Sequence, residues 1–473
     1  MIHIPILRSG QPYKSLNTVR ILHFQTGEPF VEVSQANTGL IARDFANAER
    51  NRKILESLTV SELMVICKRA AHLFSGSTLI LDENNHQTPE DYIQQTSATT
   101  GMPEVLCRKN MAKVHLVLDN MEAVLHGLTR GLDLTVLDHG YGMQNGHEIS
   151  YLGLSNVLGA ILPNNSPGVH TLWLPSIPLK VPVLLKPGRE EPWTPYRIAQ
   201  AFIQAGCPAE TFGFYPTDHS GANEIMQRCD RLMLFGDEST VAKWSKDRRV
   251  QVHGPGRSKI ILGSDKVADF EKFIELVLTS TLENGGRSCI NASSLWVPSH
   301  GKEIAMILAR RLAKIEALPM TAPDAQLAAF VNPVVAQRTS DMIDNALRIP
   351  GAEDLTAKYR SGGRLVQNDG CTFLLPTVIW CEDPKHPLAN TEFLFPFLSV
   401  VEMQQEDTLN RIGPTLVVTA LTENKRFIDQ LLNSPEIDRL NIGPVPTNQV
   451  SWYQPHEGNL FEHLYRQRSL QTV

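Results

Sequence analysis

The stretch Asn284-Gly-Gly-Arg-Ser-Cys-Ile-Asn-Ala292 places a cysteine, Cys289, in a glycine-rich turn. It follows a long helical pattern over 269–286 and precedes an apolar strand pattern over 292–297. Glycine lets the backbone approach a substrate closely and can present main-chain N–H groups to it. A thiol exposed in such a turn, with Arg287 beside it, is a candidate thiolate nucleophile. The alternative is an inert buried thiol, as for any single cysteine.

On the N-terminal side of this turn, strand patterns alternate with helical patterns from residue 181 to residue 262. This alternation predicts βαβ units and a parallel sheet. Because such sheets bind ligands at the carboxyl ends of their strands, residues at those ends are candidate binding residues. These ends are Lys186 to Arg189, Tyr215 to Thr217, Phe235 to Asp237 and His253 to Arg257.

Two further loops carry side chains that suit cysteine chemistry. Leu162-Pro-Asn-Asn165-Ser-Pro167 follows an apolar strand pattern, and an amide held there can donate to an oxyanion. The alternative role for Asn165 is to cap a turn. Thr391-Glu392-Phe-Leu-Phe-Pro396 sets a carboxylate beside an apolar stretch.

The order and spacing of these segments resemble the aldehyde dehydrogenase superfamily across residues 95 to 400. Thr100-Gly-Met-Pro103 resembles the family's Glu-Thr-Gly-Lys-Pro, and the turn around Cys289 resembles its Gly-Gln-x-Cys nucleophile motif. Asn165 falls on the family's oxyanion asparagine. Lys186 and Arg189 fall on the ends of its ribose-binding Lys-Pro-x-Glu motif. The segment LFGDES, which contains Phe235 and Gly236, resembles its pyrophosphate turn.

The resemblance implies an α/β fold of the aldehyde dehydrogenase type, with three parts. A Rossmann-type nucleotide-binding domain is expected over 1–129 and 154–257, and an α/β catalytic domain bearing Cys289 over 258–439. A small oligomerisation element, made of a flap at 130–153 and a C-terminal part at 440–473, is expected to build a homodimer or homotetramer.

Two departures from the family pattern bear on the reaction. The family's Glu-Leu-Gly-Gly-Lys-Ser carries a glutamate that activates the deacylating water, whereas this chain has His253-Gly-Pro-Gly-Arg-Ser258. His253 is either a base or thioester-pocket residue, or a histidine at the surface end of a strand. The family's Glu-x-Phe-Gly-Pro becomes Glu392-Phe-Leu-Phe-Pro396. This loss resembles the CoA-acylating branch and the fatty acyl reductases.

A third departure bears on the cofactor. Arg189 replaces the family's ribose-binding glutamate, and an arginine can pair with a 2′-phosphate that a carboxylate would repel. NADP(H) is therefore favoured, with NAD(H) as the alternative, unless Arg189 is only a solvated loop charge. Glu392 either contacts the nicotinamide ribose or faces solvent.

These departures favour reduction of an acyl-CoA or acyl-carrier thioester to an aldehyde through a Cys289 acyl-enzyme, with coenzyme A as co-substrate. The first alternative is oxidation of an aldehyde to a carboxylic acid. The second is an inactive relative that acts as a binding or structural subunit, which the intact Cys289 argues against.

The bulk composition of the 473 residues limits the remaining choices. The formal charge of -6 argues against general nucleic-acid binding. The seven scattered cysteines contain no CxxC pair, so neither a metal site nor a disulfide framework is expected. No stretch approaches the length of a membrane helix, and the N-terminal apolar run is too short for a signal peptide. We therefore expect a reduced, cytoplasmic enzyme that acts on a small molecule.

Overall fold

The computed structural model describes residues 1–471, and the chain divides into two compact units. The first unit comprises residues 1–99, 107–254 and the segment from 451 onward. The second comprises residues 100–106 and 255–450. Thr472 and Val473, the end of the expected C-terminal element, lie outside the described residues.

The strands, in chain order, are β1 (Ile2–Ile4), β2 (Ile6–Arg8), β3 (Gln11–Tyr13), β4 (Thr18–Leu22), β5 (Pro29–Ser34), β6 (Leu79–Ile80), β7 (His86–Gln87), β8 (Tyr141–Gln144), β9 (His147–Gly153), β10 (Leu158–Ile161), β11 (Val183–Lys186), β12 (Phe212–Phe214), β13 (Arg231–Phe235), β14 (Val250–His253), β15 (Lys259–Leu262), β16 (Ser294–Val297), β17 (Ala352–Asp354), β18 (Leu365–Asn368), β19 (Cys371–Leu374), β20 (Thr377–Cys381), β21 (Phe397–Glu402), β22 (Thr415–Leu421), β23 (Ile437–Ile442) and β24 (Tyr465–Arg468).

The α-helices are α1 (Thr38–Phe45), α2 (Ala48–Glu56), α3 (Val60–Gly76), α4 (Pro89–Thr100), α5 (Glu104–Asp119), α6 (Met121–Leu128), α7 (Val136–His139), α8 (Trp193–Gln204), α9 (His219–Arg228), α10 (Glu238–Ala242), α11 (Ile274–Leu282), α12 (Gly301–Leu312), α13 (Pro333–Ala346), α14 (Gln405–Thr408), α15 (Lys425–Leu432) and α16 (Leu460–Leu464).

The main sheet of the first unit has the order β14-β13-β10-β11-β12-β2-β3, and β10 to β14 run parallel. The chain proceeds from β10 outward to β12 and then returns to place β13 and β14 on the other side of β10. This is the strand order of a Rossmann-type sheet, and its topological switch point lies between β10 and β13. The predicted α/β fold is confirmed.

A three-stranded antiparallel sheet, ordered β24-β9-β8, joins the predicted flap to the C-terminal segment. Tyr465 pairs with Gly153, and Arg468 pairs with Ser150. In β8, Tyr141 and Met143 are exposed while the residues between and after them are partly buried. An oligomerisation role for this sheet remains a prediction.

The second unit is built on a seven-stranded sheet ordered β17-β20-β21-β16-β15-β22-β23. All its pairs are parallel except β17 with β20. Its first strand starts at Lys259, and the long segment of the unit begins at Pro255, three residues before the expected boundary. The expected boundary at 440 falls inside β23, so residues 440–450 pack with the second unit.

Within residues 1–471, no helix combines the length and apolar character needed to cross a bilayer. The same residues hold no group of three or more histidine, cysteine or acidic side chains arranged around a metal ion.

Candidate functional site

The turn that carries Cys289 depends on three consecutive residues in the left-handed region. Helix α11 ends at Leu282, and Asn284, Gly285 and Gly286 follow with φ of 56°, 66° and 70°. A Cβ on Gly286 would lie 2.4 Å from the main-chain nitrogen of Pro396. Only glycine combines this φ with such a close backbone approach, so the sequence Gly-Gly fixes the path of the chain toward Cys289.

The main chain of Cys289 is held by the segment that enters β15. The Ser258 hydroxyl donates to the Cys289 carbonyl oxygen at 2.7 Å. A Cβ on Gly256 would lie 2.0 Å from the same oxygen, so the two backbones are in direct contact there. Asn291 closes the turn, accepting from the Ser288 N–H at 2.9 Å. The Cys289 backbone is therefore fixed while its residue stays partly exposed.

The other six cysteines are buried. Burial is the first cause that raises the pKa of Cys371 to about 11 and the pKa values of Cys207, Cys229 and Cys381 to about 12. Burial also raises the pKa of Cys67. Since the thiolate is the reactive form, these cysteines are poor nucleophiles.

The cysteine turn carries Arg287, and the structure adds a second arginine, Arg439, that acts on Cys289. Arg287 is buried, and its guanidinium donates to the carbonyl oxygens of Thr100, at 2.7 Å, and of Ala329. The charge of Arg439, on β23, acts on Cys289. Burial lowers the pKa of Arg439, and its interaction with Cys289 acts in the opposite direction. A cation close to a thiol favours the thiolate.

In the first unit, the carboxyl ends of four adjacent parallel strands bring together the predicted binding residues. Ile161 of β10 pairs with Lys186 of β11 on one side and with Leu234 of β13 on the other. The Asn165 loop and the Phe235-Gly236 turn therefore flank the topological switch point, where open α/β sheets bind dinucleotides. Burial lowers the pKa of Lys186, and Glu190 opposes that shift.

The loops after β10 and β11 are bonded to one another. The Asn164 side chain donates to the Glu190 carboxylate and accepts from the Glu190 N–H at 3.2 Å. A Cβ on Gly188 would lie 2.0 Å from Asn164 Oδ1, so this loop contact requires glycine. Asn164 thus holds this pair of loops together, and Arg189 is exposed.

Residues of the turn after β13 make hydrogen bonds and ring contacts with neighbouring residues of the same unit. Asp237 caps α10, accepting the Thr240 N–H at 2.8 Å. The Gly236 N–H donates to the His253 carbonyl oxygen at 3.1 Å. The Phe235 ring stacks on the His253 ring, with 4.4 Å between centroids and 13° between planes. Phe235 therefore orients the His253 ring. Its contact with a cofactor remains a prediction.

His253, at the end of β14, is buried and bonded to a carboxylate that the sequence did not reveal. Its Nδ1 meets Oε2 of Glu457, and the same oxygen lies 3.8 Å from Nε2 of His456. His253 is 4% exposed, which rules out the surface histidine considered from the sequence. Its Nε2 has no hydrogen-bond partner among residues 1–471.

Glu392, in the second unit, is held by the segment that also holds Cys289. The Arg257 N–H donates to Glu392 Oε2 at 2.5 Å. Its charge also acts on Lys259, whose ammonium donates to the Arg257 carbonyl oxygen at 2.6 Å and to Thr415 Oγ1 at 2.9 Å. Glu392 is therefore not a purely solvated charge, and its contact with a ribose remains a prediction.

A comparison with protein-family models gives a match over most of the chain. The model of the aldehyde dehydrogenase family matches residues 12–413. The chain belongs to the aldehyde dehydrogenase family.

Two similar family members are named as dehydrogenases. The probable delta-1-pyrroline-5-carboxylate dehydrogenase of Schizosaccharomyces pombe is 24% identical over 49% of this chain and 44% of that protein. A betaine aldehyde dehydrogenase of Vibrio vulnificus is 22% identical over 84% of this chain and 78% of that protein. The chain thus spans less than half the length of the first relative.

Among solved structures, a betaine aldehyde dehydrogenase mutant from Staphylococcus aureus, in complex with NAD+, has a TM-score of 0.78 at 16% identity. The match covers 99% of this chain and 95% of that chain. At this identity the likeness establishes the aldehyde dehydrogenase fold. None of these three proteins is named as an acyl-CoA reductase.

Two residues of this family member were missed by sequence reasoning. Arg439 is one of two charged residues in β23, and no local pattern distinguishes it. Glu457 stands in the polar C-terminal stretch His456-Glu457-Gly458, and only the folded chain brings it to His253. Both contacts join residues far apart in sequence, which periodicity does not detect.

Proposed function

We propose that this protein oxidises an aldehyde to a carboxylic acid through an acyl-enzyme on Cys289, with a nicotinamide dinucleotide as hydride acceptor. The partial exposure of Cys289, among six buried cysteines, is the observation that carries the proposal. The relatives are named as aldehyde-oxidising enzymes, which supports this direction over thioester reduction.

Cys289 acts as the nucleophile in the proposed reaction. Its thiolate attacks the aldehyde carbonyl, and the Arg439 charge stabilises that thiolate before attack. The Asn165 amide and the Cys289 N–H donate to the oxyanion that forms, each such donor typically contributing roughly 3 kcal/mol. Loss of a hydride from this tetrahedral adduct, for which the bound nicotinamide would be the acceptor, would convert it to the Cys289 thioester. A water molecule then attacks the thioester carbon and gives up a proton to solvent, and the C–S bond breaks to release the acid and regenerate the Cys289 thiolate.

The residues of the first unit suit a dinucleotide, because the switch point offers the crevice in which such cofactors bind. Lys186 and Arg189 are proposed to contact the adenosine ribose, Phe235 and Gly236 the pyrophosphate, and Glu392 the nicotinamide ribose. When bound, the oxidised cofactor supplies the hydride acceptor. The exposed Arg189 favours NADP+ over NAD+, since a guanidinium can pair with a 2′-phosphate.

A second candidate is reduction of an acyl thioester to an aldehyde, with coenzyme A as the released thiol. His253 in place of the family's water-activating glutamate favours it, as does Glu392-Phe-Leu-Phe-Pro396 in place of Glu-x-Phe-Gly-Pro. Both reactions share the Cys289 acyl-enzyme and differ in what discharges it.

The test is to incubate the protein with a panel of aldehydes and NAD+ or NADP+, following the reduced cofactor and the acid. We expect Cys289→Ala to abolish turnover and Cys371→Ala, a buried-thiol control, to retain it. NADP+ is expected to give the higher kcat/KM. Aldehyde oxidation that requires coenzyme A would support the second candidate instead. Nucleotide binding without turnover in any assay would leave only an inactive relative.

Assembly and location complete the proposal. The exposed side chains of the flap sheet favour a homodimer or homotetramer built through β8. No disulfide joins any pair of the seven cysteines, all of which lie in the described residues. This agrees with a reducing compartment, and we propose the cytoplasm.

A further inference from the structure

We propose that Lys259 is a positioning residue for Cys289. It holds the strained peptide of Arg257, and through that peptide the segment 256–258, which lies against the Cys289 main chain. The inference rests on the proposed role of Cys289 as nucleophile, and all of these residues belong to the second unit. Lys259 follows directly after the segment 253–258 that resembles the family's Glu-Leu-Gly-Gly-Lys-Ser, so the resemblance assigns it no role.

Arg257 has a backbone conformation that needs support from its neighbours. Its φ is 44°, in the left-handed region that a residue with a side chain adopts at a cost. Such a conformation persists where the surrounding contacts define it. The Arg257 N–H donates to Glu392 Oε2 at 2.5 Å, and the Arg257 carbonyl oxygen accepts from the side-chain nitrogen of Lys259 at 2.6 Å. These two bonds hold the peptide groups before and after the strained Cα.

The central sheet of the second unit places Lys259 for this bond. Lys259 is the first residue of β15, where it pairs with Ser294 of β16 on one side and Val418 of β22 on the other, and it is fully buried. Its side-chain nitrogen also donates to Thr415 Oγ1 at 2.9 Å. The Thr415 hydroxyl donates to the Gly413 carbonyl oxygen at 2.9 Å, so its oxygen is an acceptor for Lys259. The lysine nitrogen is therefore held between two acceptors.

The bond from Lys259 to Arg257 does not depend on the charge of the lysine. Burial, followed by Arg257, lowers the pKa of Lys259 to about 7, and Glu392 acts in the opposite direction. The neutral amine keeps two N–H groups, one for each acceptor, so both bonds persist above pH 7. A buried amine is costly to desolvate, and an apolar side chain on a central strand would avoid that cost. What the lysine adds is the bond to the Arg257 carbonyl.

The segment that Lys259 holds contacts Cys289 at two points. The Ser258 hydroxyl donates to the Cys289 carbonyl oxygen at 2.7 Å, and Gly256 packs directly on the same oxygen. Arg257 lies between these two residues, so a change in its φ would move both contacts. Because the Cys289 carbonyl is fixed by them, so is the direction in which its Cα–Cβ bond presents the thiol. A displacement of about 1 Å in a reacting group can cost about 10²-fold in rate.

The test compares the wild type, Lys259→Met and Leu308→Ala as full-length proteins. Leu308 is a buried residue of α12 in the same unit, so its truncation lowers stability but removes no bond to the segment 256–258. We expect Lys259→Met to speed amide hydrogen exchange of residues 284–292 by about 10-fold relative to Leu308→Ala, because the cysteine turn opens locally. In aldehyde oxidation with NAD(P)+, Lys259→Met should lower kcat by about 10²-fold. The KM for the aldehyde should change little, since binding is not what the bond supports.

A second background, Arg257→Gly, tests the path through the strained peptide and serves where Lys259→Met alone does not fold. Glycine adopts a φ of 44° without the cost of a side chain, so the turn needs less support. Added to Arg257→Gly, Lys259→Met should therefore lower kcat by about 10-fold or less, because the two residues act on one peptide and their effects are not independent. An equal fold-loss in both backgrounds, or a loss of about 10²-fold in the glycine background alone, overturns the path through Arg257.

The failure of this proposal and that of the proposed function give different results. Wild-type protein that makes no acid from any aldehyde overturns the proposed function, while hydrogen exchange, which needs no substrate, still tests whether Lys259 holds the cysteine turn. Wild-type protein that makes acid, with Lys259→Met matching Leu308→Ala in exchange and in kcat, overturns the role of Lys259 alone. Faster exchange of the turn without a loss of kcat also overturns it.

Discussion

At the scale of single residues, Asn164 and Asn165 are adjacent amides in different settings. Asn164 is bonded to Glu190, whereas Asn165 is the proposed oxyanion donor. Asn165→Ala should lower kcat about 10²- to 10³-fold, because the lost donor acts in the transition state. Asn164→Ala should instead lower stability by about 1 kcal/mol, with a smaller effect on kcat. Steady-state kinetics and urea unfolding measure both. Equal losses of kcat would assign the effect to the loop rather than to the Asn165 amide.

Lys259 provides a pH dependence of stability. Burial, followed by Arg257, lowers its pKa from 10.5 to about 7, and Glu392 acts in the opposite direction. Between these values the unfolded chain binds the proton and the folded chain does not. The contribution of Lys259 to the free energy of unfolding therefore rises with pH, by up to about 1.4 kcal/mol per pH unit.

Lys259→Met should remove that slope, so its stability relative to the wild type should fall as pH rises from about 7.5 to about 9.5. Taking the difference between the two proteins cancels the contribution of the buried cysteines, which titrate in both. Urea unfolding at each pH measures it, and the exposed Lys302→Met is the control. Parallel pH profiles for wild type and Lys259→Met would contradict the lowered pKa.

At the scale of secondary-structure elements, local patterns predicted the strands of the first sheet well. The run Val-Pro-Val-Leu-Leu-Lys-Pro at 181–187 contains β11, and Arg-Leu-Met-Leu-Phe forms β13, because buried parallel strands are short apolar runs. The long helix expected over 269–286 is wrong as a single element. Residues 267–273 and 283–286 form 3₁₀ turns on either side of α11. Asn284 and the two glycines take positive φ, which no helical periodicity reveals.

The site was predicted less completely than the strands. Glycine and proline spacing located the turns of Cys289, Asn165 and Lys186, since those residues set the local backbone. The partners of these side chains come from elsewhere in the chain. Arg287 donates to the carbonyl oxygens of Thr100 and Ala329, and Glu457 is bonded to His253. Only the tertiary structure defines these hydrogen bonds.

The C-terminal end of α3 shows how one element depends on another. Arg197, buried on α8, donates to the carbonyl oxygens of Phe74 at 2.8 Å and Ser77 at 2.7 Å, and to Gln87. These include carbonyls that a helix end leaves without an intrahelical partner. Arg197→Met should destabilise the first unit by roughly 3 kcal/mol, because several buried acceptors lose their donor. Arg20→Met, at an exposed arginine, should cost under about 0.5 kcal/mol. Thermal unfolding measures both, and similar melting temperatures for the two variants would contradict the capping role.

At the scale of the whole molecule, the order of the two units along the chain was predicted better than their boundaries. The two α/β units follow one another as expected, but residues 100–106 join the second unit and residues from 451 onward join the first. These exchanges depend on long-range packing, and no change in composition marks them along the sequence. They place His253 and Glu457 in the same unit.

Assembly is the property of the whole molecule that the flap sheet predicts. Tyr141 and Met143 are each 58% exposed on β8, an edge strand, and Leu152 of β9 is 38% exposed. A sheet edge with exposed apolar side chains is typical of a surface that another subunit covers. Met143→Asp should place a charge in the proposed interface and shift the protein from dimer or tetramer toward monomer. Leu116→Asp, at an equally apolar exposed site on α5, should leave the mass unchanged. Light scattering coupled to size exclusion measures the mass, and a wild-type mass that Met143→Asp does not reduce would assign the interface to another surface.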